Sequence, residues 1–280
     1  RKSYHRGCGY LLCGHPCVRL HFNNSLFLKE FMIKIVNLKK SFNSHEVLKG
    51  VNLVIPGDKI TFIMGRSGTG KSVLLKHIVG LLKPDEGEIW FENQDITKLS
   101  ERQLQAIRKK IGFLFQEGAL FDSMTVAENV AFPLKEHTNL SKKEIEKKVE
   151  ELLSAVELFE AQDKYPSELS GGMRKRAALA RTLALNPQVI LFDEPTTGLD
   201  PILQITIMDL IKKIKETFHL TCVIISHDLL LAYKYADYIA FLDQGFIIEE
   251  GDVEKIKAST HPFVVKFRES ALLELEKKEV

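Results

Sequence analysis

Short, continuous apolar runs alternate along this chain with longer stretches in which apolar residues recur every three or four positions. The runs Lys59–Gly65, Val189–Glu194 and Thr221–His227 are typical of parallel strands that are buried on both faces. Ser72–Leu82 and the residues after Pro201 have helical spacing instead. Strands that alternate with helices predict an α/β fold built on a mostly parallel core sheet.

Two other regions depart from this alternation. From Met32 to Pro56 the pattern is strand-like, with a turn predicted at Asn43–His45, and Glu88–Asn93 adds another strand. Ile111–Gln116 is interpreted as a strand of the core sheet, and a mostly helical stretch follows it to about Leu185. The sequence therefore predicts a β-rich opening and a helical insertion.

Helix starts are marked by capping residues. Ser141 and Glu144 form a capping box ahead of a helical pattern, and Asp200 with Pro201 provides a cap and a first-turn proline for another helix. After His227 we expect a helix, a hairpin that turns at Gly245, and a helical tail from about Val253. No internal repeat is visible, so the chain carries one copy of any site.

Composition narrows the possible functions only slightly. The 280 residues are 45% apolar, enough for a sizeable core, and the net charge of +2 gives no reason to expect a nucleic-acid partner. No run approaches the roughly 18 apolar residues that a membrane span needs. If the chain serves a membrane process, other polypeptides must provide the spans.

The first 31 residues have a different character from the rest. They contain Cys8, Cys13 and Cys17 among scattered histidines, at spacings that match no standard zinc template. The chain starts at Arg1, and Met32 opens the first strand-like segment, so residues 1–31 are interpreted as a leader outside the core: a disordered segment or upstream translation, with a zinc site as the alternative. Cys222 is expected to be an inert core thiol, and nothing suggests disulfides, which fits the cytosol.

Gly65–Ser72, with the sequence GRSGTGKS, fits the phosphate-binding pattern G-x-x-x-x-G-K-[ST]. Its glycines let the backbone curl so that several N–H groups point at a triphosphate. Lys71 adds a positive charge for the β- and γ-phosphates, and Ser72 offers a hydroxyl to Mg²⁺. Because the pattern lies between a predicted strand and a predicted helix, it predicts an ATP-binding loop.

Further polar residues follow the apolar strands. Asp193 and Glu194 end the strand that begins at Val189, at the edge of the sheet where ligands bind in open α/β folds. Asp193 is suited to hold Mg²⁺ and Glu194 to activate water as a general base. His227 and Gln116 end other strands, where His227 could contact the γ-phosphate and Gln116 could coordinate Mg²⁺ and the attacking water.

Two candidate sites lie apart from this edge. Phe42 is at a strand end, where its ring could stack on adenine or pack in the core. Ser170-Gly171-Gly172 opens a predicted helix with glycine-freed N–H groups, which makes a second anion site. Because the phosphate loop already binds one nucleotide, we expect this second site to contact the γ-phosphate held by a partner chain.

These motifs resemble the ATP-binding cassette subunits of ABC transporters. The phosphate loop, Gln116, LSGGM, Asp193-Glu194, Asp200 and His227 occur in that family's order between about Met32 and Gly251. The resemblance implies a P-loop NTPase with an antiparallel β subdomain and a helical subdomain at about 117–185, an ATPase domain at 32–251 and a helical tail at 252–280. It also implies a homodimer with two shared ATP sites, coupled by Asp200.

The departures from the family pattern are Met173, Phe42 and Gly198, where many members have Gln, Tyr and Ala. None of them removes a catalytic atom. The resemblance implies catalytic roles for Glu194, His227, Gln116 and Lys71, and Mg²⁺ ligation by Ser72, Gln116 and Asp193. The implied ATP contacts are Phe42, Gly65, Arg66, Ser67, Gly68, Thr69, Gly70, Lys71, Ser72, Val73, Ser170, Gly171, Gly172 and Asp200.

Within the family, the sequence looks like the ATPase of Mce-type phospholipid transporters, and the run Phe115–Leu134 is the most discriminating. This implies an integral-membrane permease, an Mce-domain lipid-binding protein and a location at the cytoplasmic face of the inner membrane. The alternatives are a cassette for polar amino acid or osmolyte uptake and a cell-division cassette. Cassettes that act on DNA or ribosomes usually carry a long coiled-coil insertion or two cassettes, and the sequence has neither.

Overall fold

The computed structural model of the protein describes residues 31–276. The interpretation of residues 1–31 as a leader, with Cys8, Cys13 and Cys17, lies outside these residues except at Phe31, which begins the first strand and is therefore not part of a leader. None of the helices within 31–276 combines the length and the apolar character that crossing a bilayer requires.

A six-stranded sheet forms the centre of the molecule, and its strand order is β10-β9-β3-β8-β7-β6. All neighbours are parallel except β9 and β10, which form the hairpin predicted at Gly245. The strands are β3 (Ile60–Met64), β6 (Ile111–Leu114), β7 (Val189–Asp193), β8 (Thr221–Ser226), β9 (Tyr238–Asp243) and β10 (Phe246–Gly251).

Both faces of this sheet are covered, which explains the continuous apolar runs. In β3, Phe62 and Met64 join one hydrophobic cluster, whereas Ile63 between them joins the other. The first cluster is shared with the helices that follow Val126, and the second with the first helix and the antiparallel sheet. The predicted α/β fold with a mostly parallel core sheet is confirmed.

An antiparallel sheet, in the order β2-β1-β4-β5, packs beside the central one. Asn43 and Ser44 both have positive φ, 46° and 66°, as a two-residue hairpin turn of type I′ requires. His45, expected in the turn, therefore begins a strand. The strands are β1 (Phe31–Phe42), β2 (His45–Pro56), β4 (Glu86–Phe91) and β5 (Gln94–Asp95).

The helix after the phosphate loop is shorter than its apolar pattern predicted. It ends at Ile78, because Gly80 adopts φ 68° and terminates the helix as a glycine commonly does. The helices are α1 (Lys71–Ile78), α2 (Glu101–Lys110), α3 (Val126–His137), α4 (Lys142–Ala155), α5 (Gly171–Leu183), α6 (Pro201–Phe218), α7 (Leu229–Tyr235), α8 (Val253–Ala258) and α9 (Pro262–Glu276).

The predicted caps are present at two of these helices. Glu144 accepts a hydrogen bond from the Ser141 backbone N–H at 2.7 Å, which completes the capping box of α4. Asp200 caps α6 and accepts from the N–H groups of Ile202 and Leu203. Helix α2 begins at a capping box of Ser100 and Gln103 that the sequence analysis did not use.

Candidate active site

The loop between β3 and α1 is shaped by glycines that no other residue could replace without strain. Gly65 has φ 155°, and a Cβ there would lie 2.3 Å from the carbonyl oxygen of Leu242 in β9. Gly70 has φ 98°, and a Cβ there would lie 2.8 Å from Val47 Cγ1 in β2. The loop is therefore held closely between the two sheets.

Lys71 lies inside this loop, with 5% of its surface exposed. Its Nζ donates hydrogen bonds to the carbonyl oxygens of Gly65, at 2.9 Å, and Arg66, at 2.8 Å. Burial lowers the pKa of Lys71, and the nearby carboxylates of Glu194 and Asp193 oppose this shift. The loop thus encloses a cationic group and keeps it beside two acids.

Ser72 and Asp193 are brought together as the sequence predicted. The Ser72 hydroxyl donates a hydrogen bond to Asp193 Oδ1 at 2.9 Å. Burial raises the pKa of Asp193, and the hydrogen bond from Ser72 lowers it in part. A hydroxyl and a carboxylate oxygen are hard ligands of the kind that Mg²⁺ prefers, so this pair fits a magnesium ion.

Glu194 follows β7 in a left-handed backbone conformation, with φ 49°. Its Oε2 accepts a hydrogen bond from the Thr197 hydroxyl at 2.8 Å and lies 3.6 Å from Nδ1 of His227. His227 directly follows β8 and is well exposed. A cavity of about 490 Å³ contains Glu194, His227, Arg66 and Ser67 in its lining. The predicted base and histidine therefore share one cavity with the phosphate loop.

Gln116 and Phe42 lie outside the lining of that cavity. Gln116 is exposed two residues beyond β6, whose last residue, Leu114, pairs with Phe192 of β7. Gln116 is thus near the edge that carries Asp193. Phe42 is 40% exposed at the hairpin turn, and Nζ of Lys40 lies 5.5 Å from its ring centroid. Its exposure fits a stacking surface better than core packing.

The Ser170–Gly172 segment is placed elsewhere. Ser170 caps α5, and its Oγ accepts a hydrogen bond from the Met173 N–H at 3.3 Å. Ser170 and Gly172 line a different cavity, of about 640 Å³, together with Leu203 of α6. Within one chain, therefore, this segment and the phosphate loop belong to separate cavities.

A third cavity, of about 300 Å³, lies beside Phe121, which is 42% exposed. The Phe121 ring packs edge-on against Phe132, with centroids 4.9 Å apart. Arg181 of α5 donates hydrogen bonds to the carbonyl oxygens of Gly118 and Ala119, at 2.9 and 2.8 Å. We call this cavity, which Phe121, Phe132 and Arg181 line, the Phe121 groove.

The model of the ABC transporter family matches residues 48–197, more than half of the chain. The chain belongs to the ABC transporter family. It is accordingly an ATP-binding ATPase, and the resemblance inferred from the motifs is confirmed.

Curated relatives are similar over most of their length. The chain is 45% identical over 240 residues to the intermembrane phospholipid transport system ATP-binding protein MlaF of Haemophilus influenzae, covering 86% of this chain and 91% of the relative. It is 42% identical to MlaF of Escherichia coli K12, covering 79% and 82%. It is also 42% identical to the probable ribonucleotide transport ATP-binding protein mkl of Mycobacterium tuberculosis H37Rv, covering 84% and 66%.

Solved structures support the same family. The chain aligns with the ATP-binding cassette MJ0796, in a dimeric post-hydrolysis state bound to ADP and Pi, with a TM-score of 0.73 and 37% identity over 79% of this chain and 99% of the other. It aligns with cbiO1 of Clostridium perfringens, part of the transporter complex cbiONQ, with a TM-score of 0.77 and 32% identity over 82% and 92%.

Two residues near the site of this ABC ATPase were missed by the sequence analysis. Lys175 of α5 is buried, and its Nζ donates to the carbonyl oxygens of Pro195 and Thr197 at 2.6 and 2.9 Å. Asp85 accepts hydrogen bonds from Lys40 Nζ and the Ser41 N–H, both at 2.7 Å, just before Phe42. Each residue acts through hydrogen bonds to residues distant in the sequence, so no local pattern marked it.

Proposed function

We propose that two copies of this ABC ATPase bind two ATP molecules between them, each held by the phosphate loop of one copy and by Ser170–Gly172 of the other. The observation that carries this proposal is the separation of the two segments into different cavities of one chain. Each segment presents N–H groups suited to phosphate, so each is expected to bind an anion. Because the two segments line different cavities, one nucleotide bound to a single chain would not contact both of them. The dimeric MJ0796 cassette supports this arrangement.

In each proposed site, the main-chain N–H groups from Gly65 to Val73 bind the phosphates, and Lys71 adds its charge. Ser72, Asp193 and Gln116 would hold Mg²⁺. When bound, this ion neutralises charge on the phosphate oxygens. Phe42 would stack on adenine from the hairpin turn, which Asp85 holds in place.

Hydrolysis needs a base next to the terminal phosphate. Glu194 accepts a proton from the attacking water, and the hydrogen bond from Thr197 orients its carboxylate for that task. His227, whose Nδ1 lies 3.6 Å from the same carboxylate, would contact the γ-phosphate. Asp200 caps α6 beside Ser170–Gly172 and would link the two sites of the dimer.

The cargo we propose is phospholipid, moved between membranes of the cell envelope. Similarity to two proteins named as intermembrane phospholipid transport subunits supports this, with 45% and 42% identity. The segment Phe115–Leu134 contributes Phe121, Phe132 and Pro133 to the Phe121 groove, where we expect a short helix of a membrane-embedded permease to bind. The ATPase would then lie at the cytoplasmic face of the inner membrane.

Purification of the tagged chain from detergent-solubilised membranes of its native host tests this proposal. We expect a permease and an Mce-domain lipid-binding protein to co-purify. The reconstituted complex should move a fluorescent phospholipid between vesicles with ATP, and the same complex carrying Glu194→Gln should not.

The similarity to the mkl protein makes ribonucleotide transport the second candidate, since that relative is 42% identical. Recovery of a soluble solute-binding protein in place of the Mce-domain protein, or ATP-dependent uptake of labelled ribonucleotide without lipid transfer, would overturn the phospholipid assignment. The ATPase function would stand in either case.

A further inference from the structure

Helix α9 lies outside the residues matched by the family model, yet it packs next to the phosphate loop. Its Phe263 and Phe267 surround Phe241 of β9, with ring centroids 6.2 and 5.4 Å from that of Phe241. Phe241 is fully buried, and all three rings belong to one hydrophobic cluster. The helix is therefore anchored to the central sheet by aromatic packing.

The anchoring point is adjacent to the loop. Phe241 pairs with Met64, the residue that precedes Gly65. In the loop itself, the guanidinium carbon of Arg66 lies 5.4 Å from the centroid of the Phe263 ring, within the range of a cation–π contact. The same α9 side chain thus contacts both the sheet and the loop.

The backbone of Arg66 also accepts hydrogen bonds from two side chains of the loop. Its carbonyl oxygen accepts from Nζ of Lys71 at 2.8 Å and from the Thr69 hydroxyl at 2.9 Å. A change in the position of Arg66 therefore shifts the acceptor that holds Lys71. Because the Arg66 side chain is otherwise exposed, the Phe263 ring is a restraint on it from outside the loop.

We propose that Phe263 is a positioning residue for ATP: its ring holds Arg66, and through Arg66 the phosphate loop, in the conformation that binds the nucleotide. This inference rests on the proposed role of the loop in ATP binding. A loop that is already ordered binds its ligand without the cost of ordering it. The effect falls on ATP affinity, and the chemical step depends on Glu194 instead.

The test compares side chains at position 263. Phe263→Leu keeps an apolar side chain against Phe241 but removes the ring, whereas Phe263→Tyr keeps the ring. We expect Phe263→Leu to raise the Kd for a slowly hydrolysed ATP analogue by roughly two- to fivefold, as the loss of an exposed cation–π contact implies. The change should appear in KM more than in kcat, and Phe263→Tyr should restore it. Leu272→Ala, at an exposed position of α9, is the matched control.

A double-mutant cycle with Arg66→Ala identifies the partner. If the ring acts through Arg66, Phe263→Leu should have little further effect in the Arg66→Ala protein. Additive effects, or wild-type affinity of a folded Phe263→Leu protein, would overturn the inference. The Lys71→Ala variant distinguishes failure of this inference from failure of the proposed function. If Lys71→Ala binds the ATP analogue with wild-type affinity, the proposed role of the loop in ATP binding is wrong. If Lys71→Ala weakens binding and Phe263→Leu does not, only the proposed role of α9 is wrong.

Discussion

The Thr197 hydroxyl donates a hydrogen bond to Oε2 of Glu194 at 2.8 Å, three residues after the acid. The backbone of Glu194 has φ 49°, a left-handed conformation that is uncommon for residues other than glycine. Strained conformations persist where surrounding contacts determine them, and they cluster at active sites. The turn from Glu194 to Thr197 therefore fixes the direction of the carboxylate.

Glu194→Gln should bind ATP but release phosphate about 10²- to 10⁴-fold more slowly, because the amide keeps the shape of the side chain and cannot act as a base. In the presence of ATP, a dimer of this variant should accumulate and be detected by size-exclusion chromatography. Glu146→Gln, on an exposed face of α4, is the control and should behave as the wild type. Phosphate release near the wild-type rate by Glu194→Gln would assign the base elsewhere.

Ser170→Arg should abolish hydrolysis while a single chain still binds ATP, since the larger side chain would occupy the surface that we propose contacts the partner's nucleotide. Lys71→Ala should abolish hydrolysis by weakening ATP binding itself. In a mixture of the two variants, each mixed dimer places both defects in one shared site and leaves the other intact. Partial recovery of phosphate release on mixing is expected, and its complete absence would contradict independent shared sites.

Phe121→Asp should release the ATPase from membranes, because it places a charge in the Phe121 groove where the permease helix is expected. ATP binding and the melting temperature should change little, as Phe121 is 42% exposed. Leu140→Asp, also an exposed apolar position, tests whether any added charge has this effect. Membrane fractionation followed by immunoblotting measures how much ATPase stays with the membranes. Equal release of the Phe121→Asp and Leu140→Asp variants would contradict the groove as the binding site of the permease.

Cys222 should not react with iodoacetamide in the native protein. Burial in β8 raises the pKa of its thiol to about 12, because the thiolate is poorly solvated there, and only the thiolate is nucleophilic. Labelling at neutral pH should appear only after denaturation in urea. Peptide mapping distinguishes this cysteine from Cys8, Cys13 and Cys17, and native labelling of the Cys222 peptide would mean that β8 opens readily.

The sequence predicted the positions of site residues where these residues are close to one another along the chain. Asp193 ends a buried strand and Glu194 follows it, so their place at the edge of the sheet could be predicted from the continuous apolar run before them. The contact of Arg66 with Phe263 could not, because it joins two elements far apart in the chain and Phe263 belongs to no motif. The end of α1 was misplaced for a different reason: the apolar pattern continues past Gly80, whereas the backbone conformation of that glycine ends the helix.

Through the Arg181 hydrogen bonds to Gly118 and Ala119, helix α5 connects two separate parts of the molecule. Ser170 caps its beginning, and Arg181, near its end, lines the Phe121 groove and donates hydrogen bonds to Gly118 and Ala119. At 1.5 Å per residue, the helix carries a displacement over about 16 Å between these points. If the proposed partner chain binds at Ser170, a displacement of that end of α5 would reach Arg181, so that ATP binding would be coupled mechanically to the protein that we propose the groove binds.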